Sequence, residues 1–341
     1  MRGLVHAHPQ NNSAVPHAAA PLTAFTATLV IVWWLTRSRF RGVALDHPNR
    51  RSLHATPVPR SGGIGIHAGI ALAWLTIGPD LPLALWLAFA LLFAVSLLDD
   101  VRGVPVAVRF IAYLLAAYLL AADLLLAKFG LPAALLMTLA LAWMANLYNF
   151  MDGADGLAGG MALLGFAFYG AAAWLAGDRT FALVNFSAAA AAAAFLIFNF
   201  HPARIFMGDA GAVPLGFLAG AFGLLGWLQH DWPWWFPLLV FSPFIIDASV
   251  TLARRLARRE RVWQAHRDHY YQRLVQLGWG HRRTAAAEYI LMAACGTIAL
   301  IMRGLPAAAQ WAALGIIAAV YLLLLTRIGA AWHKFKAGPA A

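Results

Sequence analysis

Eight acidic or basic side chains in four short stretches have the types and spacing to do chemistry. "LLDDVRG" holds the adjacent pair Asp99 and Asp100, "NLYNFMDGADGLAGG" places Asp152 and Asp155 three apart among glycines, and "FMGDAG" sets Asp209 between Gly208 and Gly211. "AHRDHYYQRL" adds His266, Arg267 and His269. Carboxylates beside glycines suit a hard divalent cation such as Mg²⁺, which prefers carboxylate and amide oxygens and keeps waters for a phosphate-bearing ligand. The glycines let a backbone approach a bulky anion, and histidines with an arginine can bind phosphate oxygens. The pattern is that of a diphosphate site.

The elements that must position these groups are transmembrane helices. Of 341 residues 62% are hydrophobic and only 11% are charged, and mean hydropathy is +0.69, which defines a polytopic membrane protein. Apolar runs able to cross a hydrocarbon layer of about 30 Å centre on 20–36, 64–79, 81–98, 107–127, 131–148, 157–176, 181–199, 213–229, 235–253, 285–302 and 307–326. The expected fold is all-α with about eleven transmembrane helices, in one membrane-embedded domain over 1–341 whose motifs fall within 46–275. Residues 1–20 are polar, so the first span is expected to stay as an anchor rather than be cleaved. A single cysteine, Cys295, supports neither a disulfide framework nor a thiolate metal site.

With eleven spans, 21 of the 25 Lys and Arg residues fall in loops on one side, and the positive-inside rule makes that side cytoplasmic. The N-terminus is then periplasmic and the C-terminus cytoplasmic. The net charge of +11 is mostly a topology signal, and no nucleic-acid partner is needed to explain it. All four motifs emerge at the cytoplasmic face. There a desolvated carboxylate is costly unless it is paired or bound to a cation. The first cytoplasmic loop, "DHPNRRSLHATPVPRSGGIG", carries Arg51, His54 and Arg60 in a shape suited to covering a polar substrate. Asp247 is expected either to pair with Arg254 or Arg255 or to line the site. A polytopic ion-coupled transporter is the rival reading, and it calls for acids at mid-membrane and repeat symmetry.

In order, "HPNRRSLHATPVPRSGG", "LLDDVRG", "NLYNFMDGADGLAGG", "FNFHPARIFMGDAG" and "AHRDHYYQRL" resemble the motifs of the polyprenyl-phosphate N-acetylhexosamine-1-phosphate transferases, in particular the branch that initiates O-antigen synthesis. The resemblance implies transfer of a sugar 1-phosphate from a UDP-N-acetylhexosamine to undecaprenyl phosphate at the inner membrane, with release of UMP and with Mg²⁺ or Mn²⁺ as cofactor. It makes Asp209 a metal ligand with Asn149 beside it, and has Asp99 and Asp100 position or deprotonate the acceptor phosphate. Asp152 and Asp155 would line the nucleotide side, and Phe206 would stack on uracil. Arg51, His54, Arg60, Asn146, Gly156 and Leu157 complete the implied substrate contacts. Membrane lipids are expected partners, and a homodimer is compatible with this reading. Two positions depart from the family pattern: Gly103 stands where a third Asp or Asn is common, and Ala212 where many relatives have Ser.

Overall fold

The computed structural model describes residues 19–37, 44–46, 53, 57–261 and 266–337. Two expected substrate-contacting residues, Arg51 and His54, lie outside them. Among the described residues the chain is helical except for one two-stranded ribbon, in which β1 (Leu45–Asp46) pairs antiparallel with β2 (Val58–Pro59). Sequence reading gave no strand there. The ribbon brings the first loop back to the helix that follows it.

In chain order the helices are α1 (Ala20–Arg37), α2 (Gly62–Ile77), α3 (Leu83–Arg102), α4 (Val106–Met151), α5 (Leu157–Ala176), α6 (Arg179–Asn199) and α7 (Asp209–Leu228), followed by α8 (Trp235–Val240), α9 (Ser242–Ala257), α10 (Tyr270–Leu274), α11 (Gly280–Met302) and α12 (Ala307–Ala337). A π-helical turn, Val275–Trp279, joins α10 to α11. Eight segments are long and apolar enough to cross a membrane: α1, α3, α4, α5, α6, α7, the stretch Tyr270–Met302, and α12. The eleven apolar runs map onto this arrangement unevenly. Runs 107–127 and 131–148 are the two halves of α4, separate helices joined at Gly130, whose φ of +79° and ψ of 175° are not helical and which Pro132 follows. Run 64–79 becomes the 16-residue α2, and run 235–253 is interrupted at Phe241 between α8 and α9.

Burial grades from centre to rim. Helix α7 is enclosed almost all round, the pattern of a helix hydrophobic on every face. Around it pack α5 and α6, whose Ala188, Ala191, Ala192 and Ala194 are fully buried, as expected where small residues let membrane helices approach. Helix α12 buries only Tyr321, Gly329 and Trp332. Helix α2 crosses α7 in close contact. A Cβ on Gly63 would run into the backbone of Ala210 and Gly211, so the crossing exists only because both chains carry glycine there.

That crossing generates a prediction. Gly63→Ala forces two backbones apart and is expected to lower stability by about 1–3 kcal/mol, the usual cost of overpacking. Gly315→Ala, on the open surface of α12, should be neutral or slightly stabilising. Thermal unfolding of both variants in detergent checks this, and equal melting temperatures would remove the tight crossing.

Candidate active site

The N-terminus of α7 organises the carboxylates. A helix start leaves backbone N–H groups without partners, and here Asp100, from the last turn of α3, accepts them. Its Oδ1 accepts from the Asp209 N–H at 3.1 Å and its Oδ2 from the Ala210 N–H at 2.8 Å. Gly208, at φ +69°, takes the chain past that carboxylate, and a Cβ there would strike Asp100 and the Arg60 carbonyl. Arg60 ties the first loop to the same point, donating from Nη2 to the Asp100 carbonyl at 2.8 Å. The loop before α7 answers in kind: the carbonyls of Phe206 and Met207 accept the first N–H groups of α2, from Gly62 and Gly63, both at 2.9 Å. Two helix starts are thus satisfied by one another's neighbouring segments.

Asp99 points elsewhere. Its Oδ1 accepts from the Val104 N–H at 2.6 Å, and its Oδ2 pairs with Arg109 Nη1 at 2.6 Å. The same Nη1 reaches Asp209 Oδ2 at 3.1 Å, so Arg109 bridges two carboxylates from different motifs. Arg109 is not among the candidate residues that the motifs pick out. The signal was available, since a lone arginine one helical turn past "LLDDVRG" must find a carboxylate or leave the membrane.

Asp152 closes α4 and faces the cluster. Its carboxylate makes no hydrogen bond or ion pair among the described residues, and neither do the side-chain amides of Asn146 and Asn149, spaced three and six residues before it on one helical face. The residue keeps some surface exposure, yet desolvation, and after it the negative field of Asp209, Asp100, Asp46 and Asp155, push its carboxyl well above the usual range. Three oxygen donors without protein partners beside a bridged carboxylate pair form a donor set that fits a hard divalent cation.

Asp155 belongs to a different constellation. Its Oδ2 pairs with His201 Nδ1 at 2.6 Å and accepts the Ala203 N–H at 3.1 Å, while its Oδ1 lies 3.5 Å from His281 Nδ1. The two imidazoles stack with ring centroids 5.3 Å apart, and the ligand atoms of Asp155, His201 and His281 all lie within 4.8 Å of one another. Neither histidine was singled out in the sequence. Gly156 is enclosed as well: its N–H donates to Asn199 Oδ1 at 3.0 Å, its carbonyl accepts from the Tyr289 hydroxyl at 2.6 Å, and Phe200 packs over it. Leu157 is fully buried in the core.

The histidine stretch is assembled without a shared helix. Residues 266–268 are irregular and α10 starts only at Tyr270, yet the rings of His266 and His269 meet with centroids 4.9 Å apart. Burial, then His269, lower His266 to about 4, so it is neutral at pH 7. Asp247 pairs with neither Arg254 nor Arg255, in contrast to that expectation. Instead it accepts from the Tyr270 and Tyr271 N–H groups, both at 2.9 Å, and meets His269 Nδ1 at 3.2 Å. The reason is the one that governs Asp100: a helix start has N–H groups to satisfy. Arg267 lies beside this turn, its carbonyl accepting from Gln276 at 3.2 Å.

Fold and site together define a polytopic membrane protein that gathers carboxylates, amides and an arginine at one end of its central helices. The glycosyl transferase family 4 model matches residues 82–226, the part that carries Asp99, Asp100, Asp152, Asp155 and Asp209. The chain is 26% identical to a probable undecaprenyl-phosphate N-acetylglucosaminyl 1-phosphate transferase of Bacillus subtilis, over 92% of this chain and 94% of that one. It is 29% identical to a decaprenyl-phosphate N-acetylglucosaminephosphotransferase of Mycolicibacterium smegmatis, over 80% and 79% of the two chains. It is also 28% identical to an undecaprenyl-phosphate alpha-N-acetylglucosaminyl 1-phosphate transferase of Yersinia pestis, over 85% of each.

The two neighbouring acids should separate by substitution. Asp100→Asn leaves one oxygen to accept where two were used, and is expected to cost about 1 kcal/mol or more, the scale of a lost helix cap. Asp209→Asn removes one of two carboxylates held by Arg109 and should leave the melting temperature close to that of the parent. Equal destabilisation by both would contradict the capping role.

Proposed function

We propose that this protein transfers an N-acetylhexosamine 1-phosphate, with N-acetylglucosamine as the first sugar to test, from its UDP derivative to a polyprenyl phosphate, so starting a surface glycan. Undecaprenyl phosphate is the first acceptor to test; it is named for four of eight relatives, and decaprenyl phosphate for the other four. The observation that carries the reading is the bridge of Arg109 between Asp99 and Asp209, with the partnerless Asp152 in the field of Asp209 and Asp100 and with Asn146 and Asn149 on the helical turns that lead to it. The transporter reading calls for acids at mid-membrane, and these acids sit where helices start or stop.

In the reaction an oxygen of the acceptor phosphate forms a bond to the sugar-bearing phosphorus, the bond from that phosphorus to the bridging oxygen breaks, and UMP leaves with the electron pair. Two polyanions must meet. Arg109 supplies a fixed positive charge between Asp99 and Asp209, and Arg60 a second one at the first loop. Asp99 orients the acceptor phosphate or takes its proton. Asp100 acts at one remove, holding the α7 start and with it Asp209. Phe206, whose backbone is held by Pro59 and Gly62, would stack on uracil, while His266, Arg267 and His269 approach the phosphates from the α10 side. Asp209, Asn149 and Asp152 would hold Mg²⁺ or Mn²⁺. A bound divalent ion would neutralise charge on the diphosphate and polarise the phosphorus to be attacked.

We read α2, the two halves of α4 and the interrupted α8–α9 stretch as additional crossings, for eleven in all, with the carboxylate end cytoplasmic as the Lys and Arg distribution indicates. UDP-sugars are made on that side.

Purified protein with UDP-N-acetylglucosamine and undecaprenyl phosphate is expected to release UMP and form the lipid-linked sugar, with both products abolished by EDTA and restored by Mg²⁺. Asp209→Asn should lower turnover by at least about 100-fold, the scale of a lost charge-stabilising group. UMP release that survives EDTA, or near-parental turnover of Asp209→Asn, would overturn the reading.

A further inference from the structure

At the far end of the same helices lies a second polar site. Helix α7 spans 20 residues, so its C-terminal end is about 30 Å from Asp209 at 1.5 Å per residue. There a cleft of about 500 Å³ is lined by Ala176, Trp227, His230, Asp231, Trp232, Pro233 and Arg303. Asp231 is only 7% exposed, and among the described residues its carboxylate has no hydrogen-bond or ion-pair partner, with Oδ2 fully enclosed. Arg303 lines the same cleft without reaching it, donating instead from Nη1 to the Ala172 carbonyl at 2.6 Å. The cleft therefore holds one anion and one cation that do not neutralise each other.

The walls are built to stay. Trp232 stacks on Tyr169 with centroids 4.9 Å apart and donates from Nε1 to the Gly223 carbonyl at 3.1 Å. Its neighbour Asp231 is pinned by a backbone bond from its N–H to the Gly226 carbonyl at 2.8 Å. Burial, then the nearby Asp178, raise Asp231 to about 6 against the opposing pull of Arg303, as befits a carboxylate short of cationic partners. Trp174 and Trp234, two and one residues from the lining Ala176 and Pro233, are exposed, as is Trp311, whose ring meets Trp234 with centroids 6.2 Å apart. Tryptophans in that arrangement mark the level of lipid headgroups.

We propose that this cleft binds the headgroup of a zwitterionic aminophospholipid, its primary ammonium on Asp231 and its phosphodiester on Arg303. An ammonium offers three donors to a carboxylate that has none, and a guanidinium is suited to a phosphate. Choline lipids lack the N–H donors, and phosphatidylglycerol brings an anion without a cation for Asp231. The source is a bilayer lipid rather than a soluble phosphoethanolamine, because the rim tryptophans set the cleft at the membrane surface.

Native mass spectrometry of the purified full-length protein with equal concentrations of palmitoyl-oleoyl phosphatidylethanolamine, phosphatidylcholine or phosphatidylglycerol tests this. The ethanolamine lipid is expected to be retained at least about fivefold more than either other lipid, a modest difference by the arithmetic of affinity. Asp231→Asn should bring its retention down to that of phosphatidylcholine, and Arg303→Gln should lower the retention of all three lipids. Equal retention of the three lipids by the parent protein, which needs no variant to fold, would overturn the assignment. So would a preference that survives Asp231→Asn. Soluble glycerophosphoethanolamine binding as tightly as the lipid would overturn the bilayer source.

Discussion

Asp100 holds the start of the central helix, and most of what is notable in this protein hangs from that bond pair. Its two oxygens accept the N–H groups of Asp209 and Ala210, which fixes where Asp209 stands. Its backbone carbonyl accepts from Arg60, which fixes where the first loop lies. Gly208 is needed to pass it and Gly63 to let α2 reach the same point. A helix N-terminus carries partial positive charge, so a carboxylate there is stabilised while the neighbouring acids are left for Arg109 and for substrate. The arrangement spends one acid on architecture so that another can be positioned.

The same device recurs at Asp247, which caps α10 and so brings His269 against it and His266 alongside. Four of the charged groups expected to do chemistry are therefore placed by two that act on backbone. Asp155, with His201 and His281, makes a third fixed point where α5 begins. A site that handles two polyanions at a membrane surface gains from such fixed points, because groups already oriented need not reorganise when charge is transferred.

Much of this was legible in the sequence. Apolar runs located the helices, and the carboxylate motifs located one face, because charge in so apolar a chain has few places to be. What the sequence did not carry was the division of labour within each motif. Asp99 and Asp100 are chemically alike and adjacent, but one turn of helix sends the first to Arg109 and the second to the α7 backbone. Gly156 suggested a gap for a ligand, and tertiary packing filled it with Phe200 and Tyr289. His201 and His281 stand 80 residues apart and meet only through Asp155, so no spacing rule could have joined them. The apolar runs departed from the helices where run 64–79 gave only the 16-residue α2 and run 235–253 was interrupted at Phe241.

Two sets of residues compete for a divalent ion: the proposed Asp209, Asn149 and Asp152, and Asp155 with the two histidines, whose ligand atoms lie within 4.8 Å of one another. The account assigns the substrate-linked ion to the first. Electron paramagnetic resonance of Mn²⁺ bound to the purified protein with UDP-N-acetylglucosamine, read through its coupling to the ³¹P nuclei of the diphosphate, tests that assignment directly. The account predicts ³¹P coupling in the parent protein and in His201→Gln, and its loss in Asp209→Asn. Coupling that persists in Asp209→Asn and vanishes in His201→Gln would contradict it and move the metal to the histidine group.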